Sequence, residues 1–134
     1  MSQGQTISAE VSYSSSTDLF TATITNENSK QSYSTSAAVS GAQRLSAEWI
    51  TERPQICSGS TCKLATIGNF GTADFGSHYT SIANTNYATV DSQTGEISSF
   101  SSAVAISMVS SSGSTLARPL ALSSDGTSFA VDYH

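Results

Sequence analysis

Hydrophobic and polar positions alternate along much of this chain. From Thr6 to Tyr13, Ile7, Ala9, Val11 and Tyr13 share one face while Thr6, Ser8, Glu10 and Ser12 share the other, the period of two expected of a half-buried strand. The polar run Ser14-Ser15-Ser16-Thr17-Asp18 then reads as a turn. Beyond it Phe20, Ala22 and Ile24 alternate with Thr21, Thr23 and Thr25, which predicts a second strand folding back on the first as a hairpin, ended by Asn26-Glu27-Asn28. Further strands are predicted over Gln31 to Thr35, Ser46 to Thr51, Asn69 to Phe75, Tyr87 to Val90, Ala103 to Val109 and Phe129 to Tyr133. Gly, Ser, Asp and Pro punctuate the intervals, with Gly95, Gly113 and Gly126 read as turn positions. No segment carries a helical apolar period, and no internal repeat, linker or charge block interrupts the chain. Short strands at regular spacing imply an all-β sandwich or barrel, and 134 residues suit one domain, 1–134.

Composition narrows the function more than the fold. Charged residues make up 11% of the chain, under half the usual share of about 25%, and roughly a third of all residues are Ser or Thr. The surface is therefore polar but sparsely charged. The five cations, Lys30, Arg44, Arg53, Lys63 and Arg118, are scattered among ten carboxylates, so no basic patch exists for nucleic acid. No apolar run approaches the roughly 20 residues of a membrane span. Few carboxylates also means few native ion pairs to lose on protonation, which makes acid tolerance plausible.

Cys57 and Cys62 enclose Ser58-Gly59-Ser60-Thr61 with no His/Cys pair at zinc spacing nearby. A local disulfide is favoured over free thiols. Such a bridge forms in an oxidising compartment, so a secreted, extracellular protein is expected.

Few residues offer chemistry. His78 and His134 are the only histidines and no G-x-S-x-G elbow is present, so a Ser-His-Asp triad on His78 is the weaker reading beside an ordinary turn or strand-edge histidine. Phe70, Phe75, Phe100, Phe129 and Met108 read as core. The segment Leu45-Ser46-Ala47-Glu48-Trp49-Ile50-Thr51-Glu52 differs, because it sets a carboxylate inside an apolar strand beside the only tryptophan. On alternation Glu48 faces outward with Ser46 and Ile50, opposite Ala47, Trp49 and Thr51. The pattern alone reads Glu48 as a solvated surface carboxylate; the alternative is a functional carboxylate tuned by its neighbours.

The run Ser46-Ala47-Glu48-Trp49-Ile50, with Glu52 three residues after the Trp, resembles the catalytic-glutamate motif of the eqolisins, the glutamic acid peptidases of family G1. Three more segments resemble family landmarks in the same order: Gly4 to Tyr13, its Gly-Asp-x-Ile-x-Ala-x-Val-x-Tyr strand; Asn69 to Phe75, its Asn-Phe-Gly-Thr-Val-x-Phe strand; and Ser123 to Tyr133, its Asp-Gly-Ser-Ser-Phe strand. Together they span nearly the whole chain. Gln5 stands where the family has Asp, and Arg53 where it has an acidic residue. The family's second catalytic residue, a Gln following a Trp-Val-Gly-Ile-Asp-Gly-like strand, has no counterpart here, since Gln3 and Gln5 lie on a different motif.

The resemblance implies an antiparallel β-sandwich, concanavalin- or lectin-like (jelly-roll-like) and incomplete, because the family's two sheets need more strands than these residues provide. It implies an acid endopeptidase acting on a protein or peptide substrate without a cofactor or metal. In that family the Glu, here Glu48, is general base on the attacking water and then general acid to the leaving amine. Carboxyls titrate near about 4.3, so both roles are accessible in acid, whereas His would stay protonated. The Gln amide helps hold the water and stabilises the oxyanion, a donor role worth roughly 3 kcal/mol elsewhere. Trp49 is expected to support and Glu52 to stand in the cleft. The absent Gln motif implies that the Gln lies on a separate chain, on an upstream part of the same reading frame, or nowhere, and the exposed edges of an incomplete sandwich call for a partner, a missing N-terminal chain or a homo-oligomer. Two other readings compete: a non-catalytic sugar-binding sandwich presenting Tyr13, Tyr33, Tyr79 and Tyr87, and an inactive remnant of the family.

Overall fold

Strands pair first where the alternation is cleanest. The computed structural model describes residues 4–134 and divides into two compact units, Met1–Gln43 and Arg44–His134. In the first, β1 (Ile7–Ser14), β2 (Leu19–Asn26) and β3 (Gln31–Ala37) form an antiparallel meander in the order β1-β2-β3. The register sets Tyr13 against Phe20, whose rings meet at 5.0 Å, and the Tyr13 hydroxyl donates to Asp18 at the turn. Asn26 closes the next turn by accepting the backbone N–H groups of Asn28 and Ser29 through its side-chain oxygen, the usual means by which Asn mimics a turn. Thr21, Thr23 and Thr25 hydrogen-bond across the strands to Ser36, Ser34 and Ser32, so the hydroxyl-rich face is tied together sideways.

The second unit is built around β11 (Phe129–Tyr133), which lies between β6 (Thr72–Phe75) and β10 (Thr115–Pro119); β9 (Met108–Val109) completes an antiparallel sheet in the order β6-β11-β10-β9. Two hairpins accompany it, β4 (Gln55–Ser58) with β5 (Thr61–Leu64) and β7 (Tyr87–Val90) with β8 (Gln93–Glu96). One helical turn, α1 (Ser77–Thr80), and a 3-10 turn over Ile97–Ser99 are the helical elements among the described residues. Ala117, Phe129 and Val131 form the buried core, with Trp49, Ile67, Phe70, Phe75, Ile97 and Met108 packed around it. Phe75 and Phe129, paired across β6 and β11, stack in parallel at 4.8 Å, and Phe70 meets Tyr133 edge-on at 5.8 Å.

Several sequence-based expectations need correction. Ser46 to Thr51 has strand-like sequence but no ladder among the described residues, because a β-branched, alternating run becomes a strand only beside another strand. Ala103 to Val109 pairs only at Met108–Val109. Continuing the Met108-to-Ala117 register upstream would set Ile106 against Pro119, which has no N–H to give to a ladder. Asn69 to Phe75 begins its strand at Thr72, and Gly95 lies inside β8 rather than at a turn. β4, β5, β8 and β10 fall where no strand was expected. Turn chemistry explains the miss of β8: Asp91 and Ser92 both take positive φ, 47° and 67°, the two-residue loop geometry usually given to Asn-Gly or Asp-Gly.

The turn into β11 is held by polar groups. Asp125 accepts the Ser123 hydroxyl and both the N–H and the hydroxyl of Thr127, while Ser123 accepts the Ser128 N–H at 2.9 Å. Ser128, wholly buried, bonds the Thr127 hydroxyl and accepts the backbone N–H of His78. Gly126 has φ of 71°, and a Cβ there would fall 2.4 Å from that of Ser98. Gly126→Ala should therefore cost about 2–4 kcal/mol, from strain and overpacking. Ser92→Gly, which relieves the same strain in open space, should gain about 0.5–1 kcal/mol after the entropy of glycine is subtracted. Denaturant unfolding of the two variants checks the contrast in sign.

Acid should be felt at two places. Ser123, then Thr127, hold Asp125 below the ordinary carboxylate range, with nearby His78 adding a smaller effect; Ser8 and then Lys30 do the same for Glu27. Both folded-state values are depressed, so the stability they lend is present above the ordinary values, 3.8 for Asp125 and 4.5 for Glu27, and is lost as pH falls toward the folded ones. The melting temperature is expected to hold from pH 7 to 5 and to fall below about pH 4, with Glu27→Gln and Asp125→Asn flattening that fall. An unchanged acid limb in the double variant would refute the assignment.

Candidate functional site

Residues 48–54 alternate in burial although they pair with no strand. Glu48, Ile50, Glu52 and Pro54 are exposed, while Trp49, Thr51 and Arg53 are half-buried. Two contacts hold the inward side: Trp49 packs on the core around Phe129, and the Arg53 guanidinium donates from Nε to the carbonyl of Ala65 at 2.6 Å. The backbone closes the same join, with the N–H of Ala65 bonded to the carbonyl of Pro54 at 2.9 Å. Glu48 and Glu52 thus project from a segment pinned from beneath, and Arg53, where an acidic residue was the family expectation, acts as one of the pins.

The β4–β5 hairpin continues directly from this segment. Cys57 and Cys62 face each other in its register and form a disulfide, as their spacing led one to expect. An open groove of about 420 Å³ runs beside the hairpin, lined by Glu52, Arg53, Gln55, Leu64, Met108 and Val109. Glu52 lines this open groove, and Glu48 is not among its lining residues. Gln55, Leu64 and Val109 were not singled out from sequence; the first two face each other in the β4–β5 hairpin and Val109 lies about fifty residues further on, so no local motif marks the three together. Met108, expected as core, both packs on the core and borders the groove.

The remaining candidates separate. His78 is exposed on α1, and only its backbone N–H reaches the buried Ser128, so no serine hydroxyl is offered to its imidazole there. Tyr13 packs on Phe20 in the first unit, where Tyr33 is exposed; Tyr79 and Tyr87 are exposed in the second. Gln5 accepts the Asn26 amide through its side-chain oxygen, and Gln3 lies outside the described residues.

The geometry gives an antiparallel all-β chain with a carboxylate projecting from a pinned segment, and comparison with known proteins gives it a family. The sequence model of the Peptidase A4 family matches residues 1–118, and the chain belongs to that family, the glutamic peptidases of family G1. Among solved structures it is similar to aspergilloglutamic peptidase from Aspergillus niger, at 25% identity and a TM-score of 0.71 over 100% of this chain and 69% of that one. The fold is accordingly the β-sandwich of the G1 peptidases. No curated protein sequence matches the chain.

Because the bridge joins directly opposed positions of a two-residue hairpin, it constrains the unfolded chain through a short loop. Replacing Cys57 and Cys62 with Ser is expected to cost about 2 kcal/mol. The loss should appear as faster amide exchange in 55–64 than in β11, and uniform loss across the second unit would contradict a local role.

Proposed function

We propose that this chain carries the glutamate-bearing part of an acid endopeptidase, with Glu48 as the general base and acid. The observation that carries the reading is the burial alternation around Glu48: Trp49, Thr51 and Arg53 are held inward, which leaves the Glu48 carboxylate outward and open to water and substrate. Ionised Glu48 takes a proton from a water as that water attacks the scissile carbonyl. The tetrahedral oxyanion needs a donor that does not titrate in acid, which an amide supplies. The protonated Glu48 then gives its proton to the departing amine and is regenerated ionised. Charge, proton and carboxyl return to their starting state after each turnover.

Membership of a peptidase family and kinship with a glutamic peptidase support the substrate class, a protein or peptide. The disulfide supports an oxidising, extracellular setting. In the family this amide belongs to a glutamine, which here would stand on a partner chain or on this one. Gln55 is the residue of that type in the groove beside Glu52. A sugar-binding module gains no support from Tyr13, whose ring is engaged by Phe20.

Cleavage of a denatured protein, followed between about pH 2 and 7 where carboxyls and then histidines titrate, tests the reading in the presence of pepstatin. Activity is expected at the acid end only, and Glu48→Gln should lower kcat/KM by about 100-fold to 10,000-fold, the range of a lost general acid-base group. Undiminished proteolysis by Glu48→Gln would remove Glu48 from the mechanism.

A further inference from the structure

The segment bearing Glu48 is fixed after that residue by Trp49 on the core and by Arg53 and Pro54 at Ala65. Before Glu48 a different contact holds it: the carbonyl of Arg44 accepts the backbone N–H of Asp91 at 3.3 Å. Arg44 opens the second unit and precedes Glu48 by four residues, a span of at most about 14 Å of chain.

The donor comes from a turn built to present it. The β7–β8 ladder ends at the pair Val90 and Gln93, so the two-residue loop of Asp91 and Ser92 leaves the Asp91 N–H outside the ladder, where it needs another partner. Asp91 and Ser92 take positive φ, 47° and 67°, and the acceptor residue Arg44 is left-handed as well, at 56°. Asp tolerates that region; Ser and Arg enter it where the surrounding structure requires it. The hairpin behind the loop is tied to β11. The Asn86 side chain donates to the Thr127 carbonyl at 2.8 Å, the Ser98 N–H donates to the Gly126 carbonyl at 3.2 Å, and Ile97 packs on the core. Four residues per strand then carry the loop about 13 Å from that base.

Glu48 thus lies between two fixed points, Arg44 and Trp49, and both are referred to the core around β11. Held at Trp49 alone, the backbone before it is free to turn about the dihedrals of Ala47 and Glu48 and to carry the carboxylate with it. A second point removes that freedom.

We propose that the Asp91–Ser92 loop is a positioning element for Glu48: its main-chain N–H holds Arg44 and so sets the backbone on which the carboxylate stands. The effect on catalysis rests on the peptidase reading; the ordering of the segment does not. Asp91 acts in this role through Arg44 and not on substrate.

The contact can be broken from either side in the full chain. Inserting Gly-Gly between Asp91 and Ser92 displaces the N–H and leaves the ladder, while Leu45→Pro drives Arg44 out of its left-handed conformation. Leu45→Ala is the control for the second, since Leu45 is exposed. Backbone amide order parameters of Ala47 and Glu48 should fall from about 0.85 to below about 0.6 in each broken variant, with those of β11 unchanged. In acid, kcat should fall at least tenfold while KM stays within about threefold. Ser92→Gly, which keeps the N–H, should alter neither. The two breaks combined should be no worse than either alone, because both remove one contact. Unchanged order parameters at Ala47 and Glu48, additive losses in kcat, or loosening that extends to β11 would each overturn the proposal. Acid proteolysis undiminished by a break that does loosen Ala47 and Glu48 would refute the positioning role and leave the Glu48 reading to its own test. A parent chain that cleaves nothing would sink the peptidase reading, and the order parameters would still decide whether the loop holds the segment.

Discussion

The second unit depends on the burial of one strand. From Gly126 to Val131 every residue is buried, a run that exists because β11 has a strand on each side and aromatic rings over its face. Backbone groups in such a run must all find partners, and the turn before it supplies them through Ser123 and Asp125. Gly76 belongs to the same constraint: a Cβ there would lie 2.4 Å from the Ser128 hydroxyl, so the start of α1 can approach β11 only without a side chain. Trp49 then rests on the core that β11 anchors. The placement of the segment bearing Glu48 is therefore a consequence of packing at Phe129, some eighty residues away in sequence.

Away from β11 burial is thin. The accessible surface is 9540 Å², where two separately folded domains of these lengths would expose about 7,900 Å² together. Large apolar side chains such as Val11, Tyr33, Ile50, Leu64, Val104 and Ile106 account for part of the excess. Such surface is ordinarily covered by a partner or used in binding. Its distribution matters here, because the exposed Ile50 and Leu64 lie near the groove in sequence and Val104 and Ile106 lead into its β9 wall.

β1, β2, β3 and β7 were legible from short alternating runs bounded by turn residues. Local pairing was not enough by itself, since β4, β5 and β8 also have hairpin neighbours a few residues away and were not expected as strands. Phe129 to Tyr133 was legible as a short run set off by the turn residues Asp125 and Gly126. What alternation could not reveal is whether a pleated segment has a neighbour. Ser46 to Thr51 and Ala103 to Ser107 carry the pattern and lack the ladder, whereas Thr115–Pro119, with Arg and Pro in it, lacks the pattern and gains the ladder from β11 and β9. The Cys57–Cys62 bridge was readable because it is local. The groove was not, because Gln55 and Val109 meet only through tertiary structure.

This difference bears on how the site is organised. Glu48 is fixed at two ranges: alternation decides that it points out, and the contacts of Trp49 with the distant core and of Arg53 with the Ala65 carbonyl hold it so. The groove is fixed by long-range geometry, through the core contact of Met108 and the join between Pro54 and Ala65. In the proposed reading, a carboxylate acting on a peptide bond needs orientation, which the pinned segment provides, while a cleft several residues long needs strands from distant parts of the chain. The two meet in the stretch from Glu48 to Gln55, where the chain passes from an unpaired, alternating segment into a paired hairpin. A change in the core under Trp49 would thus disturb the orientation of Glu48 first, and a change at the β4–β5 hairpin would disturb the groove first, although the eight residues 48–55 take part in both.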